Sequence, residues 1–210
     1  MQKTVIFFSM IIIFAVSTFA HIPTFLGPDD FVNGAYLVRD IDLSQIFYYI
    51  LSEGERIVIT FEGSIGMQFH MLFGVPKENE GMESTKDFRP ELTVYDPDRN
   101  AYESFVLESI EPEIMYEFFG DTHSYLYVRH DSTLTKDGLY SIEIEATDPG
   151  RVWITFGLKE KFTASQIASI PKWIREIREF HYLTGLAKWE MYGLGIAGIL
   201  SAASILLIFL

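Results

Sequence analysis

Cysteine is absent from all 210 residues, so the chain can form no disulfide, no thiolate metal site and no thiol nucleophile. Positive charge is scarce as well: 16 Lys and Arg stand against 29 Asp and Glu, a formal net charge of −13. A field of that sign repels phosphate backbones and disfavours nucleic-acid binding, while it suits cations and basic proteins. Asn33, Asn79 and Asn100 open no Asn-x-Ser/Thr sequon. Catalytic signatures are missing too. Ser44, Ser64 and Ser124 lie in no Gly-x-Ser-x-Gly elbow, and no glycine-rich phosphate loop precedes a helix. The carboxylate pairs Glu53/Glu55 and Glu111/Glu113 read as charged surface, and Asp29, Asp30, Asp40 and Asp42 as a solvated lead-in. A non-enzymatic chain is the expectation.

One further absence sets the topology. Met191 to Leu210 contains no charged side chain and no proline. At ~1.5 Å per residue such a run is ~30 Å long as a helix, the thickness of a bilayer's hydrocarbon core. The run predicts a transmembrane helix over 191–210, with Trp189 and Tyr192 at its headgroup end. Small residues recur every four positions along it at Gly193, Ala197 and Ser201, with Gly198 and Ala202 beside them. Small faces let helices approach closely in lipid, which predicts association with another membrane protein or with its own copy. Small residues near Gly185 or Gly193 also allow a second reading, a lipid-anchor processing signal.

At the other end, Lys3 precedes an apolar stretch from Val5 to Val16 and the small-residue segment Ser17-Thr18-Phe19-Ala20, the layout of a secretory signal over 1–20. Cleavage after Ala20 would start the mature chain at His21; an uncleaved N-terminal anchor is the alternative. Lys3 is the only charge among those twenty residues, so its loss takes the net charge from −13 to −14. The expected product is a single-pass cell-membrane protein whose soluble domain is extracellular or periplasmic. Lys172, Arg175, Arg178 and Lys188 would then lie outside, against the positive-inside rule, which a signal peptide and a long translocated domain outweigh.

Between the ends, an exported domain without disulfides depends on its core, and 18 Phe, 11 Tyr and 3 Trp suit a β-rich one. After a turn-rich lead-in from His21 to Asp30, short β-favouring runs follow: 35–39, 46–51, 56–61, 67–75, 91–95, 104–107, 124–129, 139–146 and 152–157. Turn clusters such as Asp96-Pro97-Asp98-Arg99-Asn100 and Lys136-Asp137-Gly138 separate them. Ile57/Ile59/Phe61 and Tyr140/Ile142/Ile144 alternate with more polar neighbours, so one side of a sheet is buried and the other wet. About nine such runs predict a mainly β fold, two antiparallel sheets packed as a sandwich over 21–158. Pro76 to Pro90, rich in Lys, Glu, Gly and Ser, reads as a mobile loop. After Gly157 the period changes. Thr163 to Gln166 forms a capping box, and Pro171 starts a second helix with Trp173, Ile174, Ile177, Phe180 and His181 on overlapping faces. Residues 159–190 are expected to form a helical juxtamembrane stalk, its apolar stripe resting on the sandwich, the membrane interface or a partner.

Three segments in order carry a resemblance: Phe47-Tyr48-Tyr49-Ile50-Leu51-Ser52-Glu53-Gly54-Glu55, Glu91-Leu92-Thr93-Val94-Tyr95-Asp96-Pro97-Asp98, and Asp137-Gly138-Leu139-Tyr140-Ser141-Ile142. Together they resemble the bacterial pre-peptidase C-terminal domains and related jelly-roll modules over roughly 46–156. The Pro76–Pro90 loop and the lack of an attached protease domain depart from that pattern. The resemblance implies an accessory or binding module with its ligand open.

Ligand chemistry has three candidates. After cleavage His21 would offer an α-amine and a ring nitrogen, a set that suits copper(II) with a second imidazole from His123 or His130, or from His70 or His181. A histidine that merely follows the cleavage site is the plainer reading. Asp96, Asp98 and Asn100 place oxygens at alternate positions, as some calcium loops do, although the same five residues also make an ordinary hairpin turn. Trp153 with Tyr125 and Tyr127 could stack on carbohydrate, unless those rings belong to the core. The function that best combines these features is a membrane-anchored binding or interaction protein, an accessory subunit of a membrane complex. An exported copper-binding protein and a carbohydrate-binding module are the alternatives.

Overall fold

Among the described residues eleven strands, taken in chain order, pass back and forth between two sheets. They are β1 (Ile22–Phe25), β2 (Tyr36–Val38), β3 (Gln45–Leu51), β4 (Arg56–Gly63), β5 (Gln68–Pro76), β6 (Glu91–Tyr95), β7 (Ala101–Phe105), β8 (Glu113–Glu117), β9 (Thr122–Thr133), β10 (Gly138–Glu145) and β11 (Gly150–Phe156). The helix α1 (Ala164–Phe180) follows, and residues 188–193 are helical again. The computed structural model describes residues 21–193. The expected signal over 1–20 lies outside them, as does nearly all of the expected span over 191–210, including Ala197 and Ser201. Among the described residues no helix is long and apolar enough to cross a membrane.

The first sheet runs β1-β3-β11-β5-β9-β8 and the second β2-β4-β10-β6-β7. Two sheets facing each other are what the alternating runs predict, and the register puts Ile142 opposite Ile59 and Tyr140 opposite Phe61. The expectation of purely antiparallel sheets needs correction: β1 pairs with β3, and β2 with β4, in parallel. Each of these pairs is joined through a strand in the other sheet, so the chain returns in the same direction. The turn-rich lead-in therefore holds an edge strand, β1, and Pro23 fits on it because an edge strand spares one side of its backbone from pairing.

Between the sheets lies an aromatic core in which the Phe61 ring stacks on Phe69 and on Tyr140, with centroids 5.1 and 5.4 Å apart. The first sheet is buried on its other face too. Ile46, Tyr48, Leu72, Leu126 and Trp153 meet Ile174, Ile177 and Phe180 of α1 in a second core. Burial on both faces explains why β3 reads Gln-Ile-Phe-Tyr-Tyr-Ile-Leu as a nearly continuous apolar run rather than an alternating one. The apolar stripe of the helix thus rests on the sandwich.

α1 is also one helix where the sequence predicts two. Thr163 and Gln166 close the capping box as expected: the Gln166 amide donates to Thr163 Oγ1 at 3.3 Å, and the Thr163 amide donates to Gln166 Oε1 at 2.7 Å. Pro171 sits inside the helix without ending it. A proline there costs ~3 kcal/mol, whereas burying Ile174, Ile177 and Phe180 returns roughly 1.5–3 kcal/mol each. Packing wins.

The segment Pro76–Pro90 is fastened rather than loose, by polar bonds that its composition does not advertise. Thr85 Oγ1 donates to the Pro76 carbonyl at 2.6 Å, Tyr125 donates to Glu78 at 2.9 Å, and Arg89 donates to the carbonyls of Leu107 and Ile110. Asn79 Nδ2 donates to the carbonyls of His181 and Tyr182 just past α1.

Close packing makes Gly74 a sensitive position. A Cβ there would run into the Tyr125 carbonyl and the Trp153 ring, at a bulge where β5 shifts register against β9. Gly74→Ala is expected to destabilise the fold by about 1–3 kcal/mol, as overpacked sites do, read as a lower urea midpoint with an unchanged slope.

Candidate functional site

A cleft of about 650 Å³ opens where the β8–β9 edge, the start of the Pro76–Pro90 segment and the chain beyond α1 meet. Lys77, Asn79, Ile114, His123, Leu186 and Lys188 are among its lining residues. Its floor is a buried polar network centred on Arg178 and Asp121. Helix periodicity from the packed stripe turns Arg178 inward beside Ile174 and Ile177, and all three are buried. Arg178 donates from Nη1 to the Gly120 carbonyl at 2.8 Å, from Nε to Gly185 at 3.0 Å and from Nη2 to Thr184 at 3.3 Å. Its guanidinium also lies 3.7 Å from the Asp121 carboxylate.

The tight β8–β9 turn brings Asp121 there. Asp121 has a left-handed backbone, φ 52°, a conformation that aspartate tolerates better than most residues. Glu117 caps the turn by accepting from the amides of Phe119 at 2.7 Å and Gly120 at 2.6 Å. Burial raises the Glu117 carboxyl above its usual range, partly offset by those two amides. Position 120 has no room for a side chain, since a Cβ would lie 2.6 Å from the Ile177 methyl. Burial also works against the Asp121 carboxylate. The Lys188 amide, the Tyr116 hydroxyl and the Lys188 and Arg178 charges outweigh it and hold the group below its ordinary range. The Lys188 amide donates to Asp121 Oδ2 at 3.1 Å, and Tyr116 donates to Oδ1 at 3.0 Å.

His181, just past α1, completes the floor. Its Nδ1 lies 2.8 Å from the Ile177 carbonyl and its Nε2 3.0 Å from Ser124 Oγ. Burial holds the imidazole neutral, down to about 4. The network joins sandwich, loop and C-terminal segment through bonds that each use a fixed charge or a neutral imidazole, so its evident chemistry is attachment.

The sequence-predicted ligands are not gathered at this cleft. His123 lines it, exposed and tilted against the Tyr116 ring at 5.0 Å. His130 lies seven residues along the same strand, roughly 23 Å away at ~3.3 Å per residue, and is bonded to Ser132 at 2.9 Å. His21 sits at the far edge of the sheet with Nδ1 2.7 Å from Ser44 Oγ. Burial, with the nearby His70, holds it down to about 4. His70 itself bonds Asp131 at 2.6 Å. Among the described residues no group of three or more His, Asp and Glu stands close enough to hold a metal ion.

Asp96 and Asp98 converge on the Lys136 ammonium, which lies 2.5 Å from Asp96 and 2.7 Å from Asp98, while Asn100 donates to Asp96. The place between the two carboxylates where a calcium ion would sit is taken by that amine. Its hydrogen bond lowers the Asp96 carboxyl. The remaining Asp96 oxygen accepts the amides of Asp98 and Asn100, both at 2.9 Å, as a hairpin turn requires. Trp153, Tyr125 and Tyr127 are buried, so their rings offer no stacking face to a sugar. Gly193 is the last described residue, and its small-residue partners Ala197 and Ser201 lie beyond. Sequence reasoning missed the Arg178–Asp121 pair; an arginine on the apolar side of the helix pattern was the available signal.

The two buried imidazoles generate a pH dependence. Free histidine titrates at ~6.5, whereas His21 and His181 are held to about 4, so between those values the unfolded chain binds more protons than the folded one. Stability is therefore fully present above pH 6.5 and falls as pH drops, by up to roughly 1.4 kcal/mol per pH unit for each group, levelling off below about 4. His181→Gln, which retains a donor and an acceptor, is expected to flatten the pH dependence of the urea midpoint between pH 6.5 and 4.5. An unchanged slope would contradict this assignment.

No family model and no curated relative matches the chain. Among solved structures it is similar to a pre-peptidase C-terminal domain of a Bacillus anthracis collagenase, at 10% identity and a TM-score of 0.35, over 57% of this chain and 91% of that one. It is also similar to PliG, a periplasmic inhibitor of g-type lysozyme, from Salmonella Typhimurium, at 14% identity and a TM-score of 0.35, over 60% of this chain and 98% of that one. PliG from Aeromonas hydrophila matches at 12% identity and a TM-score of 0.30, over 63% and 94%.

Proposed function

We propose that the chain is a single-pass membrane protein that displays a β-sandwich outside the cytoplasm and works by binding, as an accessory subunit of a membrane complex. The observation that carries this reading is the continuity between domain and terminal run. Beyond α1 the chain is bonded to the helix end at Leu183 and to the β8–β9 turn of the sandwich at Lys188 and Trp189, turns helical over 188–193, and leads in sequence into the uncharged residues that follow. These bonds hold the start of the uncharged run, Met191 to Gly193, beside one face of the domain, which suits a subunit that presents that face to a neighbour. The secretory layout of residues 1–20 supports export, and the small-residue face at Gly193, Ala197 and Ser201 supports packing against a second membrane helix.

Fractionation with intact-mass measurement tests the reading. The expected product begins at His21, keeps its apolar end, remains in the membrane pellet after alkaline extraction, dissolves in mild detergent and crosslinks there to a second membrane subunit. A full-length chain free in the aqueous fraction would overturn it.

A further inference from the structure

Six exposed large apolar side chains lie on two chain segments that meet beside the cleft. Ile114 and Tyr116 project from β8, the last strand of its sheet, and Phe118 follows in the β8–β9 turn. Leu186, Met191 and Tyr192 come from the segment beyond α1. The groups form one patch: Ile114, Leu186 and Met191 line the same cleft, and the Phe118 ring lies nearly parallel to Trp189 with centroids 6.3 Å apart. The Trp189 indole donates to the Phe119 carbonyl at 3.2 Å, which fixes the turn against the terminal segment. Phe118 is 55% exposed and Tyr192 70%. A contiguous patch of this kind marks a docking surface rather than scattered surface apolarity.

The course of the chain identifies the occupant. The uncharged run begins at Met191, inside the patch, and Trp189 precedes it by two residues, about 3 Å along a helix axis. Whatever layer receives the start of that run, the stacked Phe118 ring stands at the same level. The residue types fit the boundary between headgroups and hydrocarbon: the rings of Tyr116, Trp189 and Tyr192 each have an apolar body and a polar tip. We propose that this patch is a lipid-interface docking surface, seating Ile114, Tyr116, Phe118 and Tyr192 in the headgroup layer so that the sandwich lies on the bilayer by its β8 edge. The proposal rests on the anchored reading above. Docking there also covers the open edge of β8, which would otherwise be free to pair with another chain.

The absence of native cysteine makes the test direct. Nitroxide labels are placed on Ile114→Cys or Phe118→Cys, and for comparison on Val32→Cys at the opposite edge of the sandwich, in the full chain reconstituted into phosphatidylcholine vesicles. The proposal expects the labels at 114 and 118 to be relaxed several-fold more by membrane-soluble oxygen than by a water-soluble nickel chelate, with the order reversed at 32. Vesicle-bound protein whose labels at 114 and 118 respond as the label at 32 does would overturn the docking surface while leaving the anchor intact. Spin–spin broadening at 118 without lipid contact would assign the patch to a second copy and also overturn it. A chain that fails to float with the vesicles would overturn the anchored reading and this proposal together.

Discussion

A buried guanidinium constrains this molecule more than any other group. Arg178 carries five N–H donors and is nearly inaccessible to water, so those donors must find acceptors within the protein. It finds them on two separate pieces of chain: Gly120 in the β8–β9 turn, and Thr184 and Gly185 beyond the helix, with Asp121 supplying the countercharge. Removing one partner would strand the others, and breaking such a buried pair typically costs ~3–5 kcal/mol. The arrangement therefore behaves as a clamp: the helix cannot leave the sheet without exposing the arginine, and the terminal segment cannot leave the helix.

From that clamp follows the division of the domain into two cores sharing one sheet. The inner core, with its Phe61, Phe69 and Tyr140 stack, closes the sandwich. The outer core, with Trp153 and Tyr48 beneath Ile174 and Phe180, adds the helix. Arg151 reinforces the far end, stacking over the Tyr182 ring at 3.8 Å and donating to the Glu179 and Phe180 carbonyls that end the helix. A helix pinned at its last turn and seated along its length carries the chain to one definite point on the surface. That point adjoins the exposed aromatic edge.

Much of this was legible in the residues, and what was not has physical reasons. Period-two alternation in Ile57/Ile59/Phe61 and Tyr140/Ile142/Ile144 identified the faces that meet in the inner core, because a strand with one wet side must alternate. β1 and β8 escaped notice because edge strands of four and five residues carry Pro23 or Glu113 and Glu117, which speak for turns rather than pairing. Pro171 suggested a helix boundary, but tertiary burial outweighed local propensity. The polar bonds that fasten Thr85, Arg89 and Asn79 join positions far apart in sequence and have no periodic signature. At the site, the histidines and the Asp96–Asn100 turn were visible as residue types, whereas their real partners, Ser44, Ser132 and Lys136, could be named only from the fold.

Amide hydrogen exchange on the full chain, wild type against Arg178→Met, tests the clamp most directly. The account predicts that the Leu183 and Lys188 amides, bonded to the Arg178 carbonyl and to Asp121, are protected in the wild type. In Arg178→Met they should exchange about tenfold faster or more, as loss of ~1.5–3 kcal/mol per charged hydrogen bond implies, while β4 and β10 stay protected. Free exchange at Leu183 and Lys188 in the wild type, or no change on substitution, would contradict it.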